Sequence, residues 1–151
     1  ISKLAKYNFT YDLLILPKHL PYATALAKRF PLQTFVIDHL AKPDFKQIDF
    51  AVWEKEMRRI AACPNVACKV SGLVTEADWK NWKKSDFSYC LDVVTEAFGM
   101  DRLLFGSDWP VSLLSASYGE SWDIVEDYYS KFSTEEQDKL WGGNAVAFYN
   151  L

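Results

Sequence analysis

Short apolar runs rich in β-branched and aromatic residues alternate with amphipathic segments four times along the chain, and this alternation narrows the possible folds more than any other feature. Tyr11 to Leu16 is the first run, stopped by Pro17. A helix is expected from Leu20 to Phe30, with Pro21 in its first turn and Ala23, Leu26, Ala27 and Phe30 on one face. Thr34 to His39 is the second run, broken at Lys42-Pro43. Phe50, Trp53, Met57, Ile60 and Ala61 then recur at helical spacing, with Asp49 placed to cap that helix and Glu54 paired with Arg58 on its exposed side. Val66 to Ser71 is the third run. Phe87, Cys90, Leu91, Val94 and Phe98 mark the helix after it, which Gly99 ends. Leu103 to Phe105 is the fourth run, followed by an expected helix from Ser121 to Phe132 and a capping box at Ser133–Glu136. Gly142-Gly143 reads as a stop, and Asn144 as the cap of a last short helix ending at Leu151.

Strand–helix units of roughly 30 to 40 residues in this order produce a parallel sheet covered by helices, so the expected fold class is α/β. Two architectures fit: an open doubly wound sheet, or part of a closed eight-stranded barrel. A glycine-rich phosphate loop would favour the first, and none follows any of the four runs.

With 151 residues, 50% hydrophobic and 25% charged, the chain can bury the core of one globular domain. A net charge of −3 with scattered Lys and Arg offers no basic stripe, which argues against nucleic-acid binding. No apolar run approaches the roughly 20 residues of a membrane span, and Ile1-Ser-Lys-Leu4 lacks a signal-peptide apolar region, so a cytoplasmic protein is expected. Cys63, Cys68 and Cys90 lie in or beside apolar segments and read as reduced core residues. The chain does not begin with Met and reads as a sequence entered partway.

Chemistry gathers where the runs end. The fourth run stops abruptly in Gly106, Ser107, Asp108 and Trp109, with Pro110 barring helix at Trp109, as when a buried strand delivers a carboxylate to a pocket mouth. A carboxylate there can be a general base or a metal ligand; its bland alternative is a turn cap. Strand alternation puts Leu104, Gly106 and Asp108 on one side, with Gly106 leaving room beneath a ligand. By the same rule His39 shares a side with Phe35 and Ile37, while Thr34 and Val36 face the helices. Lys69 and Ser71 share the inner side of the third run, opposite Val66, Cys68 and Val70, because a lysine cannot cheaply face a helix layer. His39, Lys69 and Asp108 thus come from three strands to the end where barrel enzymes assemble their sites. His19 reads as a surface residue. The polar stretch from Thr75 to Lys84 is long enough to fold over a pocket.

Three segments in this order, Phe35-Val-Ile-Asp-His-Leu-Ala-Lys-Pro43, Lys69-Val-Ser-Gly-Leu73 and Leu104-Phe-Gly-Ser-Asp-Trp-Pro-Val111, resemble the amidohydrolase-2 family of metal-dependent hydrolases, and within it the sugar-lactonase branch of L-fuconolactonase and L-rhamnonolactonase type. Gly143-Asn-Ala-Val-Ala-Phe-Tyr149 is similar to that family's closing helix. The resemblance implies a (β/α)8 TIM barrel whose last strand ends in Asp108. It also implies Asp108 and His39 as the catalytic pair and candidate ligands of a divalent metal ion, zinc or similar, with Lys69, Ser71 and Trp109 in the substrate pocket. The family's first-strand His-x-His pair is absent, and a complete barrel needs roughly 250 residues. Residues 1–151 are therefore expected to be a C-terminal half, strands five to eight, partnered by a missing N-terminal half or by further copies of itself.

The expected function is hydrolysis of a sugar-acid lactone by a water that Asp108 deprotonates, oriented by His39 or by an ion. Two alternatives remain: another reaction of the superfamily, such as amide hydrolysis or decarboxylation of an aromatic acid, and a non-catalytic incomplete barrel.

Overall fold

A computed structural model describes residues 1–46 and 50–151, so the capping role expected of Asp49 lies outside the described residues. All four apolar runs form strands: β1 Tyr11–Leu13, β2 Phe35–Ile37, β3 Val66–Val70 and β4 Leu103–Phe105. They pair in the order β1-β2-β3-β4, each pair parallel. Parallel neighbours require crossovers, and α1 (Leu20–Arg29), α2 (Ala51–Ala61) and α3 (Ser85–Phe98) supply them. Beyond β4 the chain forms α4 (Tyr118–Tyr129), α5 (Thr134–Asp138) and α6 (Asn144–Tyr149). The α/β alternation read from the sequence is the observed order.

The outer face of the sheet carries Phe35, Ile37, Val66, Cys68, Val70 and Leu103, packed on Ala27, Trp53, Met57, Ile60, Phe87 and Val94 of the crossover helices. Cys63, Cys68 and Cys90 are free thiols in this core. On the inner face Val36, Ala67 and Leu104 are buried under Ala145, Phe148 and Tyr149 of α6. This reverses the side expected for the second strand: Phe35 and Ile37 face the helices, and Val36 faces inward with Ala67. The expectation failed because it extended strand alternation to His39, whereas β2 stops at Ile37. For β3 and β4 the expected sides hold.

Two helix ends also differ. α4 begins at Tyr118, earlier than Ser121, because Ser117 and Glu120 form a capping box that the apolar periodicity did not reveal. Gly142 and Gly143 do not stop the chain, which passes through a π-helical turn, Lys139–Gly143, directly into α6. Trp141 in that turn stacks on Trp122 at 4.0 Å and meets Phe105 edge-on at 4.7 Å, and this packing outweighs the roughly 1 kcal/mol by which each glycine disfavours helix.

Asn144 is not a cap either. Its Nδ2 donates to the carbonyls of Met100 and Leu103, both at 2.7 Å, and ties α6 to the start of β4. Asn144→Ala strands those two carbonyls in a buried place, so a loss of about 1–3 kcal/mol is expected in urea denaturation. A loss below about 0.5 kcal/mol, the lower edge of an ordinary hydrogen bond, would mean the tie is dispensable. Among the described residues no helix is long and apolar enough to cross a membrane.

Candidate active site

The ends of β2, β3 and β4 open on one side of the sheet, and the side chains there reach it by different means. After Ile37 the chain takes four consecutive positive φ angles: 52° at His39, 52° at Leu40, 57° at Ala41 and 55° at Lys42. Side-chain-bearing residues in this region cost roughly 1–2 kcal/mol each, so the turn must be held by its surroundings. Asp38 pairs with Lys69 Nζ at 2.6 Å, and the Leu40 carbonyl accepts from Trp53 Nε1 at 2.8 Å. Lys42 closes the turn through its amide to the His39 carbonyl and pairs with Glu76 at 2.7 Å. The ring of His39 rests on Gly72, where a Cβ would lie 2.8 Å from His39 Cγ and Nδ1; Gly72 itself has φ +64°.

His39, Ser71 and Asp108 converge. His39 Nδ1 lies 2.8 Å from Ser71 Oγ, and Nε2 lies 3.7 Å from Asp108 Oδ1. The other carboxylate oxygen, Asp108 Oδ2, meets the Thr75 hydroxyl at 3.1 Å, which also lies 2.9 Å from the Gly72 carbonyl. Asp108 has φ 56°, so its carboxylate is aimed by a left-handed residue rather than by strand alternation.

Burial pushes the His39 pKa below its ordinary value and outweighs the opposing attraction of Asp108 and Asp38, so the ring is neutral near pH 7. Above about pH 6.5 both folded and unfolded rings are neutral; as pH falls through that value the unfolded ring takes up a proton first, and the fold loses stability. The wild-type chain is therefore expected to lose more stability than His39→Gln between about pH 7 and 5 in urea titrations. Parallel curves would refute the depressed value.

Lys69 belongs to a neighbouring cluster. Its ammonium contacts Asp38 and, at 3.1 Å, Asp12, and sits 5.6 Å over the ring of Tyr149, whose hydroxyl donates to Asp12 at 2.8 Å. Burial alone would lower the Lys69 pKa, but the hydrogen bonds of Asp38, Tyr149 and Asp12 prevail and hold it above its usual value. A Cβ at Gly106 would meet Ser71 Cβ at 3.0 Å and the Lys69 stem at 3.3 Å, so this glycine makes room for those side chains rather than for a ligand. Trp109 is 62% exposed beside Asp108. His19 stays at the surface, its Nδ1 accepting from the Leu16 amide.

Asp12, Asp38, Thr75 and Tyr149 were not singled out from the sequence. Asp12 interrupts an apolar run and Asp38 adjoins His39, both readable signals. Nothing local links Tyr149 to Asp12. A small space of about 10 Å³, the size of one water, lies against Ser71, Gly72 and Asp108 and is bounded on its other side by Ser121, Ile124 and Val125 of α4. His39 Nε2 and Asp108 Oδ1 are donors of the kind zinc takes, and they make two ligands. Among the described residues no group of three or more His, Cys, Asp or Glu side chains is placed to hold a metal ion.

Known proteins resemble this chain throughout its length. An L-fucono-1,5-lactonase of Burkholderia multivorans is 42% identical over 161 residues, covering 100% of this chain and 54% of the relative. One from Burkholderia ambifaria is 36% identical, covering 100% and 53%. The crystal structure of a Burkholderia multivorans amidohydrolase with bound zinc superposes with a TM-score of 0.94 at 42% identity, covering 98% of this chain and 55% of that one. Amidohydrolase 2 from Bifidobacterium longum, at 21% identity and a TM-score of 0.76, shares the fold. The chain spans about half the length of the curated relatives it matches, and its four parallel strands are part of the expected TIM barrel. The amidohydrolase family model matches residues 1–151, and the chain belongs to that family.

Proposed function

We propose that residues 1–151 are the C-terminal half of a barrel that hydrolyses a sugar-acid lactone, and that they carry its acid–base pair. The observation that carries this reading is the 3.7 Å separation of His39 Nε2 and Asp108 Oδ1, too long for a direct hydrogen bond, which leaves both atoms available to one small oxygen species beside them. The L-fucono-1,5-lactonases that match the whole chain support a lactone as the substrate class.

Asp108 accepts a proton from the attacking water while His39 orients it. Water oxygen bonds to the lactone carbonyl carbon, the tetrahedral intermediate collapses, and the ring oxygen leaves with the proton returned by Asp108. The open acid then departs as a carboxylate. Lys69, whose ammonium is held by Asp38, Asp12 and Tyr149, contributes its positive charge to stabilising the developing oxyanion, and Ser71 lines the pocket beside Gly72. Trp109 offers an exposed ring to the sugar face. A divalent ion held by His39 and Asp108, with ligands from other strands, would polarise the lactone carbonyl.

The free edges of β1 and β4 are filled by four further parallel strands, from the N-terminal half of the protein or from another copy. The test is ring opening of a panel of aldonolactones by the full-length protein, followed by acid release with a pH indicator, beside decarboxylation of aromatic acids. Turnover of an aldonolactone is expected. No lactone opening under conditions where the protein is folded would overturn the reading.

A further inference from the structure

We infer that Ser71 is a positioning residue whose hydroxyl donates its proton to His39 Nδ1 and so holds the imidazole in the tautomer that carries its proton on Nε2, aimed at Asp108. This deepens the proposed lactonase reading and rests on it for its catalytic meaning, while its test needs no turnover.

A neutral imidazole has one N–H and one lone pair, and two arrangements satisfy the 2.8 Å contact between Ser71 Oγ and His39 Nδ1. If Nδ1 carried the proton, Ser71 would accept it. The hydroxyl's own proton would then need an acceptor, and at 3% exposure His39 is the partner Ser71 reaches among the described residues. The same tautomer would turn the Nε2 lone pair toward Asp108 Oδ1 at 3.7 Å, lone pair facing carboxylate. With the proton on Nε2, both conflicts vanish: Ser71 donates, Nδ1 accepts, and an N–H points at a carboxylate. Ser71 is well placed to enforce this. It follows β3 directly, its Cβ fills the space that Gly106 leaves, and the Cγ–Nδ1 side of the ring it addresses lies close against Gly72.

The consequence separates the roles of the pair. His39 is a hydrogen-bond donor to the reacting oxygen, and Asp108 is the proton acceptor. Ligation of a divalent ion by Nε2 requires the proton to move to Nδ1 and Ser71 to turn from donor to acceptor, so the ion-free and ion-bound forms differ in tautomer.

The experiment uses the full-length protein labelled with nitrogen-15 histidine, examined by long-range proton–nitrogen NMR above about pH 8, where the His39 ring is neutral. The ring patterns of His39 and His19 are assigned by their loss in His39→Gln and His19→Gln. His19, whose Nδ1 accepts from the Leu16 amide at 3.2 Å, is the internal reference for the tautomer and for folding. His39 is expected to carry its proton on Nε2 in the wild-type chain and still in Asp108→Asn. The preference is expected to disappear in Asp108→Asn/Ser71→Ala, with the proton shared between the nitrogens, and to return in Asp108→Asn/Ser71→Thr. A proton on Nδ1 in the wild type overturns the inference. So does loss of the preference in Asp108→Asn alone, which would make the carboxylate its cause, or its survival in the Ser71→Ala double variant. If the double variants fail to fold, as the His19 pattern would reveal, the first two spectra still decide. Absence of lactone turnover leaves these spectra unchanged and counts against the catalytic reading alone.

Discussion

Asp108→Asn in the full-length protein is expected to slow lactone opening about a thousandfold, within the range a positioned general base contributes. Asparagine is the fitting replacement because Asp108 sits at φ 56°, a region that Asn adopts more readily than other side-chain-bearing residues. It keeps the backbone, the volume and an oxygen able to meet the Thr75 hydroxyl, and it removes the basicity. The loss should therefore fall on kcat, with KM and the thermal midpoint little changed. Asp108→Ala would add backbone strain to the lost carboxylate and confuse the two. A kcat within about twofold of wild type would eliminate Asp108 as the base, since general-base assistance is worth at least about a hundredfold.

Gly72→Ala is expected to cripple the site without removing a reacting group. The new methyl would lie 2.8 Å from His39 Cγ and Nδ1 and 2.9 Å from His39 Cβ, and the residue would have to hold φ +64°. Backbone strain alone amounts to roughly 1–2 kcal/mol. The ring cannot yield cheaply, because Ser71 holds its Nδ1 and its backbone belongs to the left-handed turn pinned by Lys69, Trp53 and Glu76. A displacement near 1 Å at an orienting group can cost about a hundredfold in rate, and that is the expected loss in kcat. It should come with a lower denaturation midpoint and a displaced His39 ring signal in NMR. A variant as stable and as fast as wild type would show that the close approach of Gly72 and His39 is not needed.

Strand and helix positions were legible because they are encoded over a few residues. Val66 to Val70 and Leu103 to Phe105 announce themselves by apolar β-branched and aromatic content, and the sides of β3 follow from the cost of turning Lys69 into a helix layer. The same rule misplaced Phe35 and Val36, because counting back from His39 assumed a strand where the chain is already left-handed. Gly142 and Gly143 misled for a related reason: their intrinsic preference is local, and the stack of Trp141 on Trp122 that overrides it is not. Asp12 and Tyr149 meet across nearly the whole chain, so no window of sequence could pair them.

By itself the sequence determined the α/β order, the buried thiols, the family, and the pairing of His39 with Asp108 as the residues to watch, since periodicity, residue type and ordered motifs are written along the chain. Only the tertiary structure decided how that pair is aimed. The left-handed turn at His39, the glycine beneath its ring, the hydroxyls of Ser71 and Thr75 at its two ends, and the Lys69 cluster beside it are contacts between distant segments. Their energies exist only once the sheet has brought those segments together, and they hold four residues in a conformation that none would choose alone.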